Sequence, residues 1–162
     1  MTAVIVPEEG SVEVFSTVEE LQAAVGRELG PTAWVQVDQA SVDAFADLTG
    51  DHNWIHVDVE RAREGSLGGT IAHGYLTLSL VPQFSHRLMA LQTPGIRLNY
   101  GVEAVRFPHP VRVGSRVRAR ATVVGVPEVA SGHQLRVRYV IEIEGVDKPA
   151  CVVETIVLLR PA

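Results

Sequence analysis

A chain of 162 residues is about the size of one domain. Its hydrophobic content of 46% supports an ordinary globular core, and its net charge of -5 argues against a nucleic-acid partner. The one cysteine excludes an intrachain disulfide, and the N-terminus lacks the basic and apolar regions of a secretory signal, so a cytoplasmic protein is expected.

The first predicted element is a short helix. Thr17 and Glu20 have the spacing of a capping box, in which each side chain caps the backbone N–H of the other residue. Gly30 ends the helical pattern and is followed by proline. We therefore predict an N-terminal extension with a short helix over residues 1–30 and a single domain over residues 31–162.

A strand and a second helix follow. Residues 32–37 carry β-branched and aromatic side chains, which predict a strand. Asp38 is a suitable N-cap for a helix whose apolar positions recur at helical spacing, and Gly50 is a natural stop for it. Residues 51–69 are expected to be mostly irregular, with one helical turn at residues 60–64.

An apolar segment predicts a long central helix from Gly74 to about Ala90. It is apolar on most sides, as expected of a helix that its surroundings bury. Pro82 is expected to kink or divide this helix, because proline lacks the N–H that a helix interior needs. Several polar residues in or beside the segment argue against a lipid-facing span and a membrane partner: His73, Gln83, His86 and Arg87.

Strands dominate the remainder of the chain. Residues 96–107 are predicted to form one or two strands, and further strands are predicted over residues 116–124, 135–143 and 150–159. Helices followed by consecutive antiparallel strands indicate an α+β domain, in which a curled sheet wraps the long central helix. Such a sheet leaves an edge that can pair with a second copy, so a homodimer is expected.

The run from Phe45 to His56 carries the clearest chemistry. Asp51 and His56 are five residues apart and follow a glycine. Taken singly, each is an ordinary loop residue. Hydration of a double bond conjugated to a thioester needs one group to take a proton from water and another to give a proton to carbon. An imidazole titrates near neutral pH and can do either, while a carboxylate beside it can orient the water. Asp51 and His56 are therefore the candidate acid–base pair.

The dipeptide His73-Gly74 opens the predicted central helix. A glycine there can simply let the chain begin a helix at a crowded point. It can also form an oxyanion hole, because the first N–H groups of a helix lack internal partners and lie at its positive end. The two roles are compatible. Gly74 is the candidate oxyanion donor, and His73 is a candidate loop or substrate contact.

Together these residues match a family pattern. The matching positions are Phe45, Thr49-Gly50-Asp51, Asn53, Ile55-His56 and Ala62. Over roughly residues 33–160 the chain resembles the MaoC-like, or R-specific enoyl-CoA hydratase (hydratase 2), family. The resemblance implies a single hot-dog domain and a hydro-lyase of fatty-acid metabolism that reversibly hydrates trans-2-enoyl-CoA to (R)-3-hydroxyacyl-CoA. It also implies that Asp51 and His56 form the catalytic dyad and that Gly74 provides the oxyanion N–H.

The chain departs from the family pattern at two positions. Trp54 stands where the family usually has proline, and its indole either shapes the acyl pocket or packs on the loop. Pro82 stands where some members place a serine on the helix, so the role of that serine is not carried over. Asn53 is expected either to fix the loop with its amide or to favour the turn.

The resemblance implies a coenzyme A thioester as the substrate, and no cofactor is predicted. Arg97 and Arg106 are candidate contacts for its phosphates, because arginine binds phosphate with two parallel hydrogen bonds. Arginines on strands more often belong to a solvated face. The histidines and the single cysteine lack the spacing of metal ligands, so no metal is predicted.

Two other enzyme classes and one non-enzyme remain open. Many hot-dog acyl-CoA thioesterases place a carboxylate on the central helix, but no Asp or Glu occurs between Gly65 and Val102. A 3-hydroxyacyl-ACP dehydratase would use the same dyad and would be favoured by a basic patch for its acidic carrier. The candidate residues for that patch are Arg112, Arg116, Arg118 and Arg120. A module that only binds thioesters would function without the Asp51 carboxylate.

Overall fold

The computed structural model describes residues 12–161 and has the α+β composition predicted from the sequence. The helices are α1 (Val18–Ala23), α2 (Gln39–Thr49), α3 (Trp54–Val57), α4 (Val59–Glu64), α5 (Gly74–Ser79) and α6 (Val81–Leu88). The strands are β1 (Glu13–Phe15), β2 (Glu28–Leu29), β3 (Val35–Gln36), β4 (Met89–Leu91), β5 (Ile96–Arg106), β6 (Arg116–Gly125), β7 (Glu128–Val129), β8 (Gly132–Ile143) and β9 (Val146–Arg160). Most of the helical residues precede the long strands.

Within residues 12–161, seven strands form one antiparallel sheet. The order along it is β2-β6-β8-β9-β5, while β3 also pairs with β6 and β7 with β8. β1 and β4 form a separate parallel pair. The sheet is open rather than closed, and β5 forms one edge because β9 is its one partner strand in the described part of the chain.

The core lies between one face of this sheet and the helices. Along β8 every second side chain is buried, as the predicted alternation requires: Leu135, Val137, Tyr139, Ile141 and Ile143. α6 packs against β6, and its buried residues recur at helical spacing: Val81, Phe84 and Leu88. Removal of this apolar surface from water is the main stabilising contribution to the fold.

The predicted central helix is divided in two. α5 ends at Ser79, and α6 begins at Val81 and ends at Leu88, so residues 89–91 are a strand rather than helix. The division follows from Pro82, which is the second residue of α6. At that position its missing N–H has no intrahelical partner to lose. The expectation that Pro82 would kink or divide the helix is confirmed as a division, but the helical end near Ala90 was wrong.

In the N-terminal half of the chain, the predicted secondary structure of two segments differs from the structure. The strand predicted over residues 32–37 is reduced to β3. Thr32 still contacts β6: its N–H donates to Ala119 O at 2.9 Å, and its hydroxyl accepts from Ala119 N–H at 3.1 Å. The segment expected to be irregular over residues 51–69 contains α3 as well as the predicted helical turn, which is α4.

The capping box of α1 is confirmed, because the side chains of Thr17 and Glu20 each accept a bond from the other residue's backbone N–H. The helix ends at Ala23 rather than at Gly30, however, and residues 28–29 form β2. The predicted boundary at residue 30 lies within the described chain, and residues 1–11 of the predicted extension lie outside it. Leu21 of α1 and Leu29 of β2 are buried in the same core as β6 and β8. Among the described residues, no helix is long and apolar enough to cross a membrane.

Candidate active site

α2 positions the loop that carries Asp51. Asp38 caps the start of α2 by accepting a bond from Ser41 N–H at 2.9 Å. Gly50 ends the helix in the left-handed region, with φ of 76°, and its N–H donates to Ala46 O at 2.8 Å. The chain therefore turns sharply at Gly50, and the Asp51 side chain is 56% exposed.

α3 positions His56. Asn53 caps this helix by accepting a bond from Ile55 N–H at 3.3 Å, which supports its predicted role in fixing the loop. His56 is buried, and its Nδ1 lies 2.7 Å from the carbonyl oxygen of Ile71. A carbonyl only accepts, so Nδ1 carries the proton and donates. The neutral ring then has its lone pair on Nε2, available to take a proton.

His73 joins these two groups. Its ring stacks on His56 with centroids 3.7 Å apart, and its Nε2 donates to the backbone oxygen of Asp51 at 2.9 Å. The same nitrogen lies 4.0 Å from the Asp51 carboxylate. One polar side-chain atom from each of Asp51, His56 and His73 lies within 4.8 Å of the others. The predicted acid–base pair is thus brought together, and His73 lies against it.

These three side chains are also a set that could hold a metal ion. However, His56 Nδ1 and His73 Nε2 each donate to a backbone carbonyl, and the two rings lie nearly parallel, at 25°. Lone pairs lie in the plane of an imidazole, so stacked rings do not direct them at a common point. The arrangement favours proton transfer over metal coordination.

Gly74 is the first residue of α5, and no side chain caps this helix. A Cβ at Gly74 would lie 3.0 Å from the ring of Phe107, so a glycine here permits a close approach between the helix and the residue after β5. Phe107 in turn packs edge-on against Tyr75 at 6.2 Å. The crowded helix start expected from the sequence is confirmed. The contact with Phe107 was not predicted, because it joins two distant segments.

The neighbouring loop histidine faces elsewhere. His52 pairs with Asp47 through an Nε2 contact of 2.9 Å, and this hydrogen bond raises the pKa of its imidazole. Its side chain is 53% exposed. His52 and His56 are four residues apart, yet only His56 is buried against His73.

The remaining candidates lie around the loop and on β5. The Arg61 guanidinium lies over the ring of Trp54, with its Cζ 4.3 Å from the ring centre, and the Trp54 ring also packs near Gly65. Arg97 and Arg106 each donate to a backbone carbonyl close by in sequence, at 2.9 and 2.7 Å. None of these contacts joins the dyad.

Two adjoining cavities lie between the divided helix and β5. Their volumes are about 550 and 290 Å³, and residues common to both are Val81, Pro82, Asn99 and Thr155. Arg97 lines the larger cavity, and Ser79 of α5 lines the smaller. The groove therefore runs beside the helix pair that begins at Gly74. It was not predicted, because its walls come from segments far apart in the chain.

Comparisons with known proteins identify the family of the chain. The MaoC-like domain family matches residues 20–144. The 3-hydroxyacyl-thioester dehydratase Z of Mycobacterium tuberculosis is 48% identical over 147 residues, which cover 90% of this chain and 97% of that protein. Nodulation protein N of Rhizobium leguminosarum bv. viciae is 41% identical over 145 residues, which cover 87% of this chain and 89% of that protein.

Solved structures give the same result for the fold. The (R)-hydratase from A. caviae involved in PHA biosynthesis superposes with a TM-score of 0.68 and 27% identity, covering 83% of this chain and 96% of that one. The hot-dog fold expected from the sequence is thereby confirmed. The chain belongs to the MaoC-like dehydratase family and is an enzyme of the hydro-lyase class.

Proposed function

We propose that this enzyme reversibly adds water to a trans-2-enoyl-CoA to give the (R)-3-hydroxyacyl-CoA. One observation carries the proposal. The Asp51 carboxylate and a ring nitrogen of His56 lie within 4.8 Å of each other, and Ile71 fixes the His56 proton on Nδ1. That arrangement leaves two groups able to move protons beside one another, which is what hydration of a conjugated double bond requires.

The proposed reaction adds the hydroxyl group and a proton of one water molecule across the double bond. The water oxygen forms a bond to C3 as its proton passes to one member of the dyad, and the π electrons move toward the thioester carbonyl. This proton passes to the other member, which delivers it to C2; that completes the 3-hydroxyacyl product and returns both members to their starting protonation states. The Nε2 lone pair of His56 and the Asp51 carboxylate are the groups that exchange these protons. Water and thioester are the only reactants, so neither cofactor nor metal is part of the proposal.

The enolate formed in the middle of the reaction needs a hydrogen-bond donor. We propose that Gly74 N–H donates to the thioester oxygen, as the family resemblance implies. As the first residue of α5, Gly74 has an N–H without an intrahelical partner, and it follows His73 directly. Donors placed where negative charge develops stabilise the transition state more than the ground state.

Names of relatives support the substrate class. The Mycobacterium tuberculosis relative is named for 3-hydroxyacyl thioesters, and the A. caviae structure for an (R)-hydratase. We propose the same thioester class and the R configuration for this chain. Arg97 and Arg106 remain the proposed contacts for CoA phosphates, and Trp54 the proposed wall of the acyl site.

A dehydratase acting on acyl carrier protein is the second candidate. The basic patch that would favour it is mostly neutralised in the structure. Arg116 pairs with Glu144, Arg118 with Glu142 at 2.6 Å, and Arg120 with Glu28 at 2.7 Å. Paired charges of this kind offer little net attraction to an acidic carrier. We therefore propose coenzyme A as the carrier.

A thioesterase is the third candidate. α5 and α6 contain neither Asp nor Glu, so the helix pair offers no carboxylate to activate a water molecule. The dyad of Asp51 and His56 is also suited to proton transfer at two adjacent carbons. We therefore propose hydration of the double bond rather than cleavage of the thioester.

We further propose that the enzyme is a cytoplasmic homodimer. Its edge strand β5 exposes large apolar side chains that a second copy could cover: Ile96, Leu98, Tyr100 and Val102. A single chain rarely leaves so many neighbouring apolar residues in water.

The single cysteine, Cys151, is buried, which raises the pKa of its thiol to about 11 and keeps it unreactive.

A substrate panel tests the reaction class. The purified enzyme is incubated with crotonyl-CoA, a saturated acyl-CoA and a carrier-linked enoyl thioester. Loss of enone absorbance with crotonyl-CoA, and an R product in a stereospecific coupled assay, are expected. Release of free thiol from the saturated acyl-CoA without hydration would contradict the proposal. A strong preference for the carrier-linked substrate would replace coenzyme A with acyl carrier protein.

A further inference from the structure

We propose that His73 is a positioning residue, which ties the Asp51 loop to the ring of His56 and thereby sets the spacing of the acid–base pair. This inference rests on the proposed hydration reaction and names the group that fixes the geometry of its dyad. His73 comes from the start of a different helix, so it can hold the two groups independently of the loop that carries them.

Asp51 gains from such a support, because its own contacts within the loop are long. Its N–H lies 3.5 Å from the Thr49 hydroxyl, and its carboxylate accepts from Asn53 N–H at 3.4 Å. Both contacts are long for hydrogen bonds. The bond from His73 Nε2 to the Asp51 carbonyl is shorter, at 2.9 Å, and joins the loop to a buried element.

His73 is itself rigidly placed. Its side chain is 3% exposed and contacts two rings, with centroid distances of 5.1 Å to Phe45 and 3.7 Å to His56. A side chain confined in this way can hold a bonded group at a defined position. The ring that contacts His56 and the N–H that holds Asp51 thus belong to one fixed residue.

Packing alone does not account for a histidine at this position. Among the described residues, His73 Nδ1 is buried and has no hydrogen-bond partner. A phenylalanine would fill the same space without leaving a buried polar atom unsatisfied. What distinguishes histidine is the Nε2–H that reaches Asp51.

Two substitutions of His73 separate the contribution of its hydrogen bond from that of its ring. His73→Phe retains a flat face against His56 but removes the donor. His73→Gln removes the ring but retains an N–H donor, since the amide nitrogen of Gln is as many bonds from Cβ as His Nε2. His52→Phe is the matched control, because His52 lies in the same loop but is exposed and pairs with Asp47.

Steady-state kinetics with crotonyl-CoA give the first readout. We expect His73→Phe to lower kcat roughly 10- to 100-fold with little change in KM, because displacing a reacting group by about 1 Å can cost up to ~100-fold. His73→Gln is expected to recover most of that loss, and His52→Phe to behave as wild type. A His73→Phe enzyme with the wild-type kcat would overturn the proposal. Equal losses of kcat in His73→Phe and His73→Gln would do so as well.

Nitrogen NMR of the wild-type histidine rings gives a second readout that requires neither a variant nor turnover. The proposal requires a proton on Nε2 of His73 and on Nδ1 of His56 in the neutral rings. The opposite tautomer at His73 would overturn it even if the variants fail to fold. A wild-type enzyme that does not hydrate enoyl-CoA would refute the proposed function, while the tautomers would still test the arrangement around His73.

Discussion

The protonation pattern of the two histidines follows from the backbone carbonyls they meet. His56 Nδ1 faces Ile71 O, and His73 Nε2 faces Asp51 O, so each of these nitrogens must be a donor. Only the second nitrogen of each ring retains a lone pair. For His56 this is the nitrogen that can exchange a proton with water or substrate. The backbone therefore selects the tautomer that the proposed chemistry needs.

Removal of divalent metal ions is expected to leave hydration unchanged. The stacked rings do not direct their lone pairs at one point, and proton transfer between water and carbon needs no metal in the proposed reaction. The measurement is the rate with crotonyl-CoA after dialysis against EDTA, beside a sample dialysed without it. Loss of activity that an added divalent ion restores would instead make Asp51, His56 and His73 a metal site.

At the residue scale the sequence predicted the groups within one short run but not their tertiary partners. Asp51 and His56 could be found because they and the preceding glycine lie within one short run of the sequence. His73 was a candidate without a defined contact, and its stack on His56 became evident only from the fold. Spacing along the chain carries no information on which distant ring lies against a given side chain.

At the element scale, the outer face of the sheet is held by ion pairs between β6 and β8. Glu142 accepts from both Arg118 and Arg120, at 2.6 and 3.1 Å, while Glu144 pairs with Arg116. Partial burial alone would raise the pKa of Glu142, but the two arginines outweigh it and lower that pKa below its usual value of 4.5. The charged form of Glu142 therefore stabilises the folded state.

Glu142→Gln is expected to lower the free energy of unfolding by about 1 kcal/mol or less near neutral pH, the usual scale for partly exposed pairs. The folded-state pKa is lowered, so the contribution is fully present above pH 4.5 and is lost as pH falls through the folded-state value. Urea unfolding of wild type and Glu142→Gln at neutral and acid pH measures this difference in the free energy of unfolding. Glu128→Gln is the control, since Glu128 has no ion pair among residues 12–161. A difference between wild type and Glu142→Gln that persists at low pH would contradict the assignment.

Elements with local signals were predicted best. The capping box of α1, the glycine stop of α2 and the division at Pro82 each depend on residues a few positions apart. The strand predicted over residues 32–37 was too long, and a side-chain bond between Thr32 and Ala119 N–H at its start could not be foreseen, because the two residues are far apart in the chain. β5 was predicted as one or two strands and is one strand with two register shifts.

At the scale of the whole molecule, the open edge of the sheet is the feature that most needs a partner. β5 is exposed along nearly its whole length, and Phe107 and Tyr75 beside it are also exposed. The sequence predicted that an edge would remain, but it did not identify which strand forms it. That depends on the pairing of strands far apart in the chain.

Leu98→Glu is expected to convert the proposed dimer to a monomer, because Leu98 lies between the exposed Ile96 and Tyr100 on β5 and a charge there would have to be buried. Light scattering after size exclusion gives the mass. Val25→Glu is the control, since Val25 is similarly exposed, at 48% against 43% for Leu98, but lies outside β5. A monomeric wild type, or a Leu98→Glu variant that stays dimeric, would show that β5 is not the interface.

The most direct test of the account is the hydration rate of crotonyl-CoA by wild type, Asp51→Asn and His56→Ala, each first shown to be folded by circular dichroism. The account predicts an R product from wild type and a kcat at least ~100-fold lower in each variant, the scale expected for loss of an acid–base group. Turnover near the wild-type rate in either folded variant would contradict the assignment of Asp51 and His56 as the catalytic dyad.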